Sequence, residues 1–131
     1  MILKVILDDP KPQRTVQMQR NLLKQFGNDA EELATRFLQE AGFTIVERNY
    51  YARKLGEIDI IAHRRGVWHF IEVKSSGRDF DPVYNLTPAK LRKVINSTYF
   101  YLKAHGLDVA FSIDALLVRR GEVELIENIT L

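Results

Sequence analysis

Cysteine is missing from all 131 residues. Disulfides, thiolate nucleophiles and zinc–thiolate sites are therefore excluded, in keeping with a reducing cytoplasm. Histidine is scarce, at His63, His69 and His105 only, and none of these pair at metal-ligand spacing on a helix, which argues against a zinc enzyme. No apolar run approaches a membrane span. Residues 1–7 are mostly apolar but far too short, and they lack the basic start and cleavage site of a signal peptide. A cytoplasmic protein with no membrane attachment is expected. No repeat, glycine-rich phosphate loop or Ser-His-Asp arrangement is present. Net charge is nearly absent as well: 19 Lys and Arg against 17 Asp and Glu leave +2, too little to argue nucleic-acid binding from charge alone.

What is present is enough apolar character, 46% of residues, for one sizeable core, and a chain of one-domain length. The most informative stretch is Gly56-Glu57-Ile58-Asp59-Ile60-Ile61-Ala62, a basic turn His63-Arg64-Arg65-Gly66, then Val67-Trp68-His69-Phe70-Ile71-Glu72-Val73-Lys74. Two β-branched and aromatic runs around a glycine-containing turn predict a β-hairpin. With Arg65 and Gly66 as the loop, Asp59 falls opposite Glu72 and Glu57 opposite Lys74. Period-2 alternation then gathers all four on one patch, with the rest of both strands apolar. Opposed carboxylates destabilise a sheet unless something compensates. A hard divalent cation such as Mg²⁺ does so, held by Asp59 and Glu72, with Lys74 beside the metal-bound water. The bland alternative is a solvated Glu57–Lys74 ion pair beside two idle acids.

Elsewhere the pattern alternates helices and strands. Asn28 is a candidate helix cap with Glu31 completing a capping box, followed by Ala30, Leu33, Ala34, Phe37, Leu38 and Ala41 at helical spacing and Gly42 as terminator. Residues 43–51 read as a strand beside the hairpin, and residues 75–82 as a loop. Thr87 as cap, Pro88 at the first position and Gly106 at the end bound a second helix with a buried stripe of Leu91, Val94, Ile95, Thr98 and Leu102. Its aromatics Tyr99, Phe100 and Tyr101, like Tyr84 before it, read as core rather than as base-stacking residues. Residues 109–118 and 122–126 are further strands, and Asp114 inside the first is expected to cap a helix or pair with an arginine. Positive charge clusters at Arg48, Arg53 and Lys54, at Arg64 and Arg65, and at Lys90, Arg92 and Lys93. Such a basic rim around an acidic pocket suits a phosphodiester, although any one cluster could be plain solvated charge.

These residues also carry a resemblance. Asp59 followed across a turn by Glu72-Val73-Lys74 resembles the PD-(D/E)xK nuclease superfamily. Gly27-Asn28-Asp29-Ala30-Glu31, Gly42-Phe43, Arg48-Asn49-Tyr50, the Gly56 to Ala62 run and Thr87-Pro88-Ala89-Lys90 extend it to the YraN-like (UPF0102) family of predicted endonucleases, itself similar to archaeal Holliday-junction resolvases. The match covers about residues 27 to 130, so residues 1–26 are treated as an N-terminal strand and helix extension, or an arm exchanged with a second subunit, ahead of a domain spanning 27–131.

The resemblance implies a restriction-endonuclease-like α/β fold with a mixed central β-sheet flanked by helices. It implies a Mg²⁺-dependent DNA endonuclease, Mn²⁺ substituting, with branched recombination intermediates as candidate substrates and a homodimer as candidate assembly. Catalytic positions would be Asp59, Glu72 and Lys74, with Glu57 and Glu31 as further acids, Glu31 being claimed equally by helix capping. The Val73 carbonyl would join Asp59 and Glu72 on the metal. Lys90, Arg53, Lys54, Arg78 and Arg92 would contact DNA; many family members carry an arginine where Ser76 stands here, so this chain either loses that phosphate contact or supplies it from Arg78. An alternative of another class is an accessory nucleic-acid-binding module with a nuclease-like fold and little or no cleavage activity.

Overall fold

The computed structural model describes residues 14–16, 29–75, 86–119 and 122–129. The first helix, α1 (Ala30–Glu40), starts at Asp29, whose side chain accepts from the Glu32 amide at 3.1 Å. Asp29 rather than Asn28 is therefore the cap, which places Glu31 at the second helical position and releases it from the capping role. Leu33, Ala34, Phe37 and Leu38 face inward at helical spacing, and the chain leaves the helix through Gly42 at φ 92°.

Strand β2 (Thr44–Tyr51) pairs antiparallel with β3 (Glu57–Arg64), with a register shift between Ile45 and Glu47. Between them lies a 3₁₀ turn, Arg53–Leu55. β3 returns into β4 (Val67–Ser75) through Arg65 and Gly66, both at positive φ (53° and 79°), the backbone a two-residue hairpin loop requires. Helix α2 (Pro88–Ala104) is capped by the Thr87 hydroxyl, which accepts from the Lys90 amide at 3.2 Å, and ends before Gly106 at φ 62°. Because α2 carries the chain across, β5 (Phe111–Arg119) lies parallel to β4, whereas β6 (Glu122–Ile126) returns antiparallel. A short β1 (Arg14–Val16) adds to β6 at the edge, giving the order β1-β6-β5-β4-β3-β2.

Each face of this mixed sheet carries one core. Under α1, Leu33, Phe37 and Leu38 meet Ile60, Ile71 and Leu116. Under α2, Leu91, Val94 and Tyr101 meet Ile61, Phe70 and Leu117. Burying each such side chain contributes roughly 1.5–3 kcal/mol, so the two layers hold the sheet between them. This is the α/β arrangement of the restriction-endonuclease-like fold. The inward stripe of α2 differs from expectation at three positions: Ser97 and Tyr101 are buried and Ile95 is only partly so. From the N-terminal extension, the strand Arg14–Val16 joins the sheet, while the expected strand at residues 1–7 and the loop after Ser75 lie outside the described residues.

Candidate active site

The β3–β4 ladder runs from Arg64↔Val67 to Ile60↔Ile71 and stops there. Beyond that point β3 stays with β2, as far as Tyr51↔Glu57, and β4 stays with β5, as far as Ser75↔Val118. The sheet therefore opens into a fork. Asp59 does not pair with Glu72 through the backbone, nor Glu57 with Lys74, as a continuous hairpin would have them. Asp59 instead reaches across the fork, and its Oδ2 accepts from the Val73 amide at 2.8 Å. One carboxylate oxygen has replaced the missing ladder partner. In a strand the N–H and C=O of one residue leave the same edge, so the Val73 carbonyl also faces this fork.

Three acids and a lysine bear on the same place. Burial pushes the Asp59 carboxyl up to about 7, helped by the negative charge of Glu72 beside it, by a hydrogen bond shared with Glu72 and by the charge of Glu31, and opposed by the Val73 amide. Lys74 Nζ lies 3.0 Å from Glu72 Oε2. Glu31 Oε1 accepts from Asn49 Nδ2 at 2.8 Å and from Arg48 Nη2 at 3.3 Å, while Arg48 Nη1 holds Glu32 at 2.9 Å. These contacts lash α1 to β2 and hold Glu31 toward the fork. They depend on Asn49 at φ 54°, a left-handed backbone that asparagine tolerates better than most residues. Arg48 and Asn49 are the residues reasoning from the hairpin alone passes over; the Arg-Asn pair itself was the available signal.

Glu57 is exposed at the start of β3, and the ion pair made by Lys74 is with Glu72. The basic rim is thinner than the sequence suggests. Arg48 is committed to Glu31 and Glu32, and Arg64 to Glu127 at 3.7 Å, the Ala41 carbonyl at 3.1 Å and the Phe43 ring at 3.9 Å. Arg53, Lys54, Arg65, Lys90, Arg92 and Lys93 are exposed. Arg78 lies outside the described residues.

A second cluster sits toward the opposite end of β4. His69, Asp114 and Glu127 offer ligand atoms within 4.8 Å of one another. Among the described residues Asp114 caps no helix and meets no arginine: its carboxylate accepts from the Ser112 hydroxyl and the Asn128 amide (3.0 Å) and lies 2.6 Å from His69 Nδ1. A second acid, Glu127, does accompany it, but Arg64 already faces that charge. Every charge here has a partner without a metal, so the cluster ties β4 and β5 to the segment after β6.

Comparison with known proteins agrees with the motifs. The model of the family described as "Uncharacterised protein family UPF0102" matches residues 30–126. A UPF0102 protein of Sulfurovum sp. is 63% identical over 112 residues, covering 86% of this chain and 99% of that protein. Relatives of the same family name in Wolinella succinogenes (54% over 105 residues, 80% and 95% coverage) and Helicobacter pylori (54% over 104 residues, 79% and 90%) match comparably. On a match that spans both helices and the acidic fork, the chain belongs to the UPF0102, YraN-like family.

Proposed function

We propose that this protein is a divalent-metal-dependent endonuclease hydrolysing phosphodiester bonds of DNA, branched recombination intermediates among them. The observation that carries the reading is the meeting of Asp59 and Glu72 in the fork, with the Asp59 carboxyl pushed up to about 7. Carboxyls crowded in a partly buried place, with one lysine paired to Glu72, are left short of positive charge. A hard dication with oxygen ligands relieves that, and oxygen is what the fork offers.

Asp59, Glu72 and the Val73 carbonyl would hold Mg²⁺ or Mn²⁺, with Glu31 from α1 and Glu57 at the rim as supporting acids. Bound there, the ion would supply Lewis-acid polarisation of the phosphate. Lys74, positioned by Glu72 at 3.0 Å, would orient the attacking water and set positive charge against the developing phosphorane. Arg53, Lys54, Lys90 and Arg92 would contact phosphates, and Arg78 with them. Lys90 has the further advantage of the α2 N-terminus.

The test is incubation with linear, single-stranded and branched DNA in Mg²⁺ or Mn²⁺. Cleavage that falls by about 100-fold or more in both Asp59→Asn and Lys74→Ala supports the enzyme. DNA binding by the unaltered protein with no cleavage in either metal would instead favour the accessory module. A calorimetric titration without divalent-metal binding would remove the site.

A further inference from the structure

Beside the acidic fork stands a short surface of which the nuclease reading uses only Arg53 and Lys54. Tyr51, the last residue of the edge strand β2, has 68% of its surface exposed, the most of any large apolar residue described. The turn that follows presents Arg53 and Lys54 to solvent, with Leu55 at 38% exposure. Lys93 of α2 adjoins the turn, since a Cβ on Gly56 would lie 3.4 Å from the Lys93 Cβ.

Backbone hydrogen bonds define the turn. The Ala52 amide donates to the Gly56 carbonyl at 2.8 Å and the Leu55 amide to Ala52 at 3.1 Å, and Gly56 presses on α2 at φ 137°. Arg53 is held at φ 55°, a conformation costly for a residue with a side chain and common where function fixes the backbone. An exposed tyrosine and leucine among cations are poorly suited to water alone. They match a ligand with a flat apolar face and an anionic backbone, which is the chemistry of an unstacked nucleotide. Arg53, Lys54 and Lys93 outnumber the exposed Glu57 across the ladder from Tyr51.

Resting on the nuclease reading, we propose that Tyr51 stacks on an unpaired base while Arg53, Lys54 and Lys93 hold the flanking phosphates, so that the preferred substrate is DNA with a single-stranded segment entering the fork. The placement suits this. Tyr51 pairs with Glu57, two residues before Asp59, which puts it roughly 8 Å from the fork by strand spacing, the rise of about two stacked nucleotides. A paired base has no free face to offer Tyr51, so a blunt duplex gains only the phosphate contacts.

Fluorescence anisotropy tests it, in Ca²⁺ with gels checking that strands stay intact. The probes are a short single strand, the same strand in a blunt duplex, and a duplex carrying a single-stranded flap. The single strand and flap should bind more tightly than the blunt duplex. Tyr51→Ala should weaken those two by about tenfold and leave the blunt duplex unchanged, whereas Tyr51→Phe should keep the preference. Arg53→Ala with Lys54→Ala should weaken all three and flatten the salt dependence. Should Tyr51→Ala bind every probe as the unaltered protein does, or weaken the blunt duplex equally, the stacking role is overturned while the nuclease reading stands. If the unaltered protein binds none of the probes, both fall. Tyr51 is exposed, and an unchanged thermal midpoint will separate a binding defect from a folding one.

Discussion

Asp59 does two things that conflict. Its Oδ2 satisfies the Val73 amide, which any acceptor would do, and its charge meets Glu72 and Glu31, which no protein needs for stability. The sign of the pH dependence follows. With the folded carboxyl near 7 and its ordinary value at 3.8, the folded form binds more protons than the unfolded one between those limits, so stability falls as pH rises through that window. Asp59→Asn keeps an acceptor for Val73 and removes the charge. Urea unfolding without divalent metal should find Asp59→Asn more stable than the unaltered protein by roughly 1–3 kcal/mol at pH 8 and nearly equal to it at pH 4. Thr98 shows a milder tension of the same kind, its hydroxyl buried on α2 with no hydrogen-bond partner among the described residues. Replacing Thr98 by Val should therefore raise stability by about 1 kcal/mol, read as a higher urea midpoint at unchanged slope.

Among the elements, the hairpin was the easiest to read and the easiest to misjudge. Arg65-Gly66 fixes a two-residue loop and hence the register from Arg64↔Val67 to Ile60↔Ile71. Nothing local announces that pairing ends there, because the ends are pulled apart by other partners, β3 by β2 and β4 by β5. Helix α1 gives the complementary case. Its apolar spacing was plain, but the cap fell on Asp29, and Glu31 turned to Arg48 and Asn49, residues 17 and 18 positions further along the chain. The turn between β2 and β3 yields an element-scale prediction. At Gly56 an added Cβ would lie 3.2 Å from Ser97 Oγ, at a φ of 137° that side chains avoid. Gly56→Ala should cost roughly 1–3 kcal/mol in unfolding experiments, and should weaken DNA binding through the displaced turn more than Tyr51→Phe does.

At the scale of the fold, two helices among the described residues press on opposite faces of one sheet, and the polar knot of His69, Ser112, Asp114 and the Asn128 amide fastens the segment after β6 to the sheet centre. Asp114 is fully buried, and removing it strands three polar groups at once. Asp114→Ala should destabilise by about 3 kcal/mol or more, seen as a lower urea midpoint. Chelators should leave that midpoint unchanged in the unaltered protein at low pH, since the knot has partners enough without a metal. A metal effect on stability should come from the fork instead, and should vanish in Asp59→Asn.

Local chemistry was enough to determine the Thr87 cap and the hairpin turn, the alternation of the strands, the two amphipathic helices and the identity of the acids gathered at one end of the hairpin. These follow from spacing and from residues whose backbone preferences act within a few positions. Only tertiary structure decided that β3 and β4 part at Ile60 and Ile71, that Arg48 and Arg64 are spent on internal ion pairs, and that Asp114 answers to His69. Each of those outcomes depends on partners distant in the chain, and a charged side chain's choice among several distant partners is settled by packing and desolvation, which leave no periodic trace in a sequence.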